Sequence, residues 1–360
     1  MRLLTDGTPL NVADYERLAA ERIDAGALGY FAGGAGDERT LRRNVAAYAE
    51  WELIPRVLVD VSAVDSSVEL FGSELSMPLA VAPVAFQRLV HEGGEEAMAR
   101  AAGAAGTAMC LSTIATATPG SVAAAAPGTT KWFQLYVFRD RAVTESLLAE
   151  AVESGYEAIV LTVDAPFAGR RERDLRTGFE VDVDAPSVTA AIGSDRPVSV
   201  KEVFGLVDAS LDWDDLASLA ANCELPVVVK GLVHPADAEL AIEAGAGGIV
   251  VSNHGGRQLD GALASIDALP EVVDAVAGRA DVLMDGGIRR GTDVLVALAL
   301  GADAVLTGRP ALWGLAVDGE EGARNVLELL KAEIRLALAL LGCRTPADVT
   351  RDHAAHLLRS

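Results

Sequence analysis

Residues 243–252 read EAGAGGIVVS, an Ala-rich helical pattern that stops at glycine and passes at once into the unbroken apolar run Gly248–Val251. A half-exposed strand would alternate apolar with polar residues. A run with no alternation marks a strand covered on both faces, as in parallel sheets with helical crossovers. Glycine at the joint suits the left-handed residue that closes a helix. The same form recurs in AAGTAMCLST from Ala104, ESGYEAIVLT from Glu153 and ALGADAVLTG from Ala299. Each is read as a helix-to-strand joint.

Working outward, eight such runs are found: Leu79–Ala82, Ala108–Leu111, Trp132–Leu135, Ala158–Leu161, Pro226–Val229, Gly248–Val251, Val282–Met284 and Ala304–Leu306. Most are separated by helix-sized intervals, a pattern that fits a (β/α)₈ TIM barrel better than an open doubly wound sheet. Thr118-Pro119 has the form of an N-cap followed by proline at the first helical position, and Thr292-Asp293 is read as opening a helix that ends at Gly301. The chain is expected to form a single domain over 1–360, with an N-terminal helical extension (1–70), a barrel (79–310), a long loop after strand four (174–211) and C-terminal helices (320–360). The loop, rich in Asp, Ser, Pro and Val, is either a lid or a disordered excursion.

With 51% apolar residues and 35 glycines, the 360-residue chain can build a large core with many tight turns. Acidic residues outnumber basic ones 52 to 30, a net charge of −22, which disfavours nucleic acid and anionic membrane surfaces. A small anionic ligand then requires arginines gathered locally. Cys110, Cys223 and Cys343 are too few and too scattered for a disulfide framework or a metal site. No secretory leader pattern and no run of 18 apolar residues is present. A cytoplasmic protein is expected.

In a barrel of this kind, ligands sit at the C-terminal ends of the strands. The residues there are Pro83-Val84-Ala85, Ser112-Thr113, Gln134-Leu135-Tyr136, Thr162-Val163-Asp164, Lys230-Gly231, Ser252-Asn253-His254, Asp285-Gly286-Gly287 and Gly308-Arg309. Nearly all are hydrogen-bonding groups or glycines. Any one could be an ordinary polar strand end; together they describe a ligand site. DGGIRRGTD (285–293) and TGRP (307–310) place free backbone N–H groups beside Arg289 and Arg309, where barrels commonly hold a phosphate. Read singly, either could be an ordinary glycine turn or a phosphate site; together they favour a phosphate. His254 can take a proton and Arg257, three residues on, can clamp a carboxylate, with Asp164 available to orient the imidazole. The alternative is a structural histidine beside a solvated arginine. Lys230 is either a Schiff-base nucleophile, as in an aldolase, or a fixed positive charge.

Taken in order, YFAGGAGDERT (from Tyr30), PRVLVDVS (Pro55), VAPVAFQ (Val81), FQLYV (Phe133), LTVDAPFAGRRERD (Leu161), VVVKG (Val227), SNHGGRQLDG (Ser252), DGGIRRGTDV (Asp285) and TGRP (Thr307) resemble the FMN-dependent α-hydroxy acid oxidase and dehydrogenase family. The resemblance spans about nine-tenths of the chain. It implies FMN as cofactor and His254 as the base, taking the substrate's hydroxyl proton or its α-proton, with Asp164 supporting it. It implies that Arg257, Arg171 and Tyr30 hold the substrate carboxylate and that Tyr136 bonds its hydroxyl or carboxylate. By the same resemblance, Lys230 lies against the flavin as a fixed charge, which removes the aldolase reading. The backbone of Pro83, Val84 and Ala85, with Ser112, Gln134, Thr162 and Ser252, would take the ring and ribityl chain. Asp285 would bind ribityl hydroxyls, and Gly287, Arg289, Gly308 and Arg309 the phosphate.

Three departures bear on the substrate. Val84 stands where many relatives have Thr, Ile114 where glycolate oxidases carry Trp, and Ala168 where a larger aliphatic is common. An L-2-hydroxy acid of lactate to mandelate size is expected, with glycolate disfavoured. The segment after strand four is shorter and more acidic than in membrane-bound dehydrogenases of the family. An oxidase using O₂ and releasing H₂O₂ is therefore expected, the alternatives being a dehydrogenase with a quinone or other acceptor and a lactate-monooxygenase-type decarboxylating enzyme. A homo-oligomer, tetramer or octamer, is implied by the resemblance alone.

Overall fold

The computed structural model describes residues 9–181 and 183–357. The first eight residues of the expected N-terminal extension, Asp182 of the long loop and the last three residues of the C-terminal region lie outside the described residues. Eight parallel strands close into a barrel: β1 (Leu79–Val81), β2 (Met109–Ser112), β3 (Lys131–Leu135), β4 (Ala158–Thr162), β5 (Val227–Leu232), β6 (Gly248–Val251), β7 (Asp281–Asp285) and β8 (Ala304–Thr307). Closure is direct, with Val305, Leu306 and Thr307 of β8 paired to Leu79, Ala80 and Val81 of β1. The strands are buried almost throughout, as their unbroken apolar runs require.

The punctuation follows the local chemistry. Thr118 caps Pro119–Ala125 by accepting from the Ser121 N–H at 3.1 Å. Gly106 ends Gly94–Ala105 in the left-handed conformation at φ 73°. The helix expected to open at Thr292-Asp293 begins at Gly291 instead, because the Asp293 carboxylate reaches back to the N–H groups of Arg289 (2.8 Å) and Arg290 (2.9 Å). That reach also fixes the turn after β7.

Outside the barrel, helices Val12–Arg22, Ala25–Ala32 and Arg39–Ala46 form the N-terminal part, but 51–70 is not helical. Trp51–Leu53 pairs antiparallel with Ala354–His356, and Val68–Leu70 with Ser73–Leu75 makes a hairpin. The hairpin carries Leu70, Phe71 and Leu75 against the barrel's interior cluster, where Phe71 meets Trp132 edge-on at 5.3 Å. Helix Arg309–Leu341 runs past the start expected for the C-terminal helices and breaks at Asp318–Gly319, where Gly319 takes φ 53°. The 174–211 segment is neither featureless nor a simple loop. It holds the helices Pro186–Ala191 and Val200–Leu206, the latter opened by a Ser199/Glu202 capping box. Its end is tied to the barrel by Arg139 N–H to Leu206 O (3.0 Å) and Asp208 N–H to Val137 O (2.9 Å).

Candidate active site

The C-terminal ends of the strands surround one cleft with about 1140 Å³ of empty space, part of it open to solvent. Every site residue expected from the sequence lines it except Asp164 and Ser252. Those two stand directly behind residues that do. Ser252 is fully buried, and its hydroxyl oxygen accepts from Lys230 Nζ (2.9 Å) and from the His254 N–H (3.0 Å). Asp164 lies behind the imidazole, Oδ1 at 2.9 Å from His254 Nδ1. Ala168 is exposed and does not line the cleft, so it drops out as a determinant of substrate size.

His254 is held by an unusual backbone. His254, Gly255 and Gly256 take φ of 58°, 62° and 76° in succession. For a residue with a side chain, this left-handed conformation costs roughly 1–2 kcal/mol and persists only when its surroundings over-determine it. Glycine is required at 256, where a β-carbon would overlap the backbone of Leu41. Gly231 is required too. At φ 118° it lets Asp164 pack on β5, and a β-carbon there would lie 2.7 Å from the Asp164 carboxyl carbon.

Electrostatics divide the cleft. Burial pushes the Asp164 carboxyl upward, but the charge and hydrogen bond of His254, with Lys230, outweigh it and hold it below the ordinary carboxylate range. An ionised Asp164 assigns the Nδ1 proton to the imidazole and leaves the Nε2 lone pair as the proton acceptor. Burial works against the Lys230 ammonium, yet Asp285 (Oδ2 at 2.9 Å) and Asp164 keep its pKa raised, so it stays charged. Tyr136 is raised by burial and then by Asp164, hence a neutral hydroxyl.

Tyr30, in the last turn of helix Ala25–Ala32, has two guanidinium groups over its ring, Arg257 at 4.8 Å and Arg171 at 5.2 Å from the ring centre. Burial and the neighbouring Arg171 push Arg257 down to about 10. Arg257 Nη1 donates to the carbonyls of Tyr30 and Gly33, and Arg309 donates to those of Phe31 (2.8 Å), Gly33 (2.9 Å) and Gly255 (3.1 Å). Two cations thus satisfy the C-terminal end of that helix. Burial, then Arg257 and Arg289, push Arg309 down to about 9. Among the described residues, the Arg289 guanidinium donates to the Ile288 carbonyl (3.0 Å), with the Glu16 carboxylate 4.0 Å away and the charge of Asp293 nearby. This side of the cleft is short of negative charge, as an anion-binding site must be.

The cleft also contains buried polar atoms with no hydrogen-bond partner among the described residues: Gln134 Nε2, Thr162 Oγ1, Asp285 Oδ1 and Thr307 Oγ1. Such atoms are costly unless a ligand satisfies them. An amide donor, hydroxyls, a carboxylate and under-neutralised arginines form a donor set that fits a polar ring, a polyol chain and a phosphate, the parts of FMN.

Several contributing residues were not among those expected from the sequence. Phe204, from helix Val200–Leu206, lines the cleft and packs on Tyr136 at 5.6 Å. Gln258 clamps the turn after β4, donating to the carbonyls of Asp164 and Phe167 (both 2.9 Å) and accepting from the Gly169 N–H (2.9 Å). Asn44 and Tyr48 reach the cleft's outer wall from the N-terminal helices. A motif search could have found Gln258, since it lies within SNHGGRQLDG; the others sit in no local pattern.

Comparison with known proteins agrees with this geometry. Residues 19–356 match the model of the FMN-dependent dehydrogenase family. The chain is 47% identical over 354 residues to an L-lactate oxidase of Nostoc sp., covering 95% of this chain and 97% of that protein. It is 44% identical over 344 residues to 2-hydroxyacid oxidase 1 of Homo sapiens, covering 92% and 93%. A crystal structure of mandelate oxidase superposes with a TM-score of 0.89 at 44% identity, covering 95% of this chain and 97% of that one.

Proposed function

From the premise that the chain belongs to the FMN-dependent dehydrogenase family, we propose that it oxidises an (S)-2-hydroxy acid of lactate to mandelate size to the 2-keto acid, with O₂ as acceptor and H₂O₂ as product. FMN, when bound, supplies the two-electron acceptor. Gln134, Thr162 and Lys230 would face its ring, Ser112 and Asp285 its ribityl chain, and Arg289, Gly287, Gly308 and Arg309 its phosphate.

The observation that carries this reading is one juxtaposition. A histidine with an ionised, buried carboxylate at Nδ1 shares a cleft with two arginines stacked on Tyr30. A substrate whose carboxylate lies between Arg257 and Arg171 brings its 2-hydroxyl carbon toward His254. The imidazole takes a proton from that carbon's C–H or O–H, and Asp164 stabilises the imidazolium that results. Tyr136, neutral, donates a hydrogen bond to the substrate's oxygen. Lys230 holds a fixed positive charge against the cofactor's developing negative charge. Ile114, Val84 and Phe204 line the cleft and would face a substrate side chain larger than hydrogen.

We also propose a cytoplasmic homo-oligomer, tetramer or octamer. Strongly exposed Val57, Leu58, Leu336 and Leu340 give it an apolar surface to cover, and light scattering measures its size.

The test is an anaerobic titration of the FMN-loaded protein with glycolate, lactate, 2-hydroxyoctanoate and mandelate, each enantiomer separately, followed by admission of air. Bleaching of the flavin by an (S) acid larger than glycolate and rapid reoxidation with stoichiometric peroxide are expected. Failure of every acid to bleach the flavin overturns the reaction, and bleaching without reoxidation overturns the acceptor.

A further inference from the structure

Asn44 lies on helix Arg39–Ala46, 209 positions from the motif that carries the base, and is buried. Its carboxamide and that of Asn253 bond reciprocally: Asn44 Nδ2 donates to Asn253 Oδ1 (2.8 Å) and Asn253 Nδ2 donates to Asn44 Oδ1 (2.7 Å). Asn253 Nδ2 also donates to Leu263 O (2.8 Å), and Asn253 Oδ1 accepts the N–H of Gly256 (3.0 Å). All four hydrogen-bonding positions of the Asn253 amide are thereby used, and one of them closes the His254–Gly256 turn. Asn44 fixes the rotamer that makes this possible.

The same residue presses on the phosphate side. A β-carbon on Gly287 would overlap the Asn44 carbonyl oxygen, so the DGG turn after β7 rests directly on its backbone. Tyr48, four residues on, donates from its hydroxyl to Gly286 O at 3.2 Å. One helical face therefore touches both the turn carrying the base and the turn where phosphate would bind. The two turns do not share a hydrogen bond of their own among the described residues.

We infer that Asn44 is a positioning residue: through Asn253 it holds His254 in its left-handed backbone geometry and keeps that turn in register with the Gly286–Gly287 turn. It touches no substrate. The inference rests on the proposed reaction only for its kinetic consequence. Three left-handed residues in succession have alternatives close in energy, and a shift of about 1 Å in a catalytic group can cost on the order of a hundredfold in rate.

The experiment compares wild-type and Asn44→Ala holoenzymes by anaerobic stopped-flow flavin reduction, FMN affinity, and backbone hydrogen exchange over residues 253–258. In the variant, the limiting reduction rate at saturating substrate is expected to fall roughly ten- to a hundredfold. The substrate's apparent Kd is expected to change less than about threefold, while exchange over the turn rises about tenfold or more. Asn44→Asp, which keeps the volume and the acceptor but loses the donor, is expected to give about a third- to a tenth-strength rate in the same direction, and it serves if the alanine variant does not fold. A reduction rate within about twofold of wild type, or unchanged exchange over 253–258 in a folded variant, overturns the assignment. If no 2-hydroxy acid reduces the wild-type flavin, the proposed reaction fails, and Asn44 is then judged by exchange over the turn and by FMN affinity, which is expected to weaken.

Discussion

The two ends of the barrel are built from the same strands and do opposite things with them. At the N-terminal end, the hairpin residues Leu70, Phe71 and Leu75 close the interior against Trp132, Ala80, Ala108 and Ala304, an apolar floor whose only partnerless buried polar atom among the described residues is Trp132 Nε1. At the C-terminal end, buried Gln134, Thr162, Asp285 and Thr307 each keep an atom without a protein partner, beside Lys230 and several desolvated arginines. The floor leaves a single buried polar atom unpartnered among the described residues, whereas the mouth keeps those four, which a ligand could satisfy. Stability is concentrated at one end, and unmet interaction capacity, which binding uses, at the other.

Substitutions can break or sharpen that contrast. His254→Ala is expected to lower the flavin-reduction rate by roughly two to four orders of magnitude while FMN is retained, measured by stopped flow and by the protein's flavin spectrum. Asp164→Asn should lower it by roughly ten- to a hundredfold, since the imidazole loses its ionised partner.

The Asp164 contribution carries a pH sign. Its folded pKa is depressed, so the stabilisation is present above the unfolded carboxylate value of about 3.9 and is lost as pH falls through the lower folded value. A thermal-denaturation series from pH 7 to 3 should therefore show the wild type's advantage over Asp164→Asn disappearing only below about pH 4.

Phe204→Ala is expected to shift the ratio of kcat/KM for mandelate over lactate by about tenfold, because it removes one wall of the side-chain space. Trp132→Ala is the counter-case. It should cost about 3–5 kcal/mol in denaturant unfolding yet leave kcat within about twofold. A floor substitution that abolished turnover in a stably folded protein would erase the distinction between the two ends.

Much of this arrangement is legible along the chain because it is set locally. The unbroken runs, the glycine joints and the polar strand ends each depend on a few adjacent residues, and all eight runs coincide with barrel strands to within three residues at either end. The resemblance then placed roles on matching positions, and all but Asp164 and Ser252 line the cleft. What was misread had the same physical origin as what was missed. The resemblance makes Ala168 bear on substrate size, because relatives commonly carry a larger aliphatic there, but the turn that Gln258 clamps leaves it exposed. The 174–211 segment gave no periodic signal long enough to reveal its short helices, whose positions depend on tethers such as Leu206 O to the Arg139 N–H.

The sequence by itself determined the barrel and the chemistry of its rim, since strand burial, helix ends and strand-end residue types are properties of short stretches of chain. Only the tertiary structure decided how segments outside the barrel strands meet its rim. Tyr30 against two arginines, Asn44 against Asn253, and Phe204 beside Tyr136 join segments that share no local pattern. Each pairing becomes favourable only after the barrel has closed and brought buried polar and aromatic groups within reach of one another.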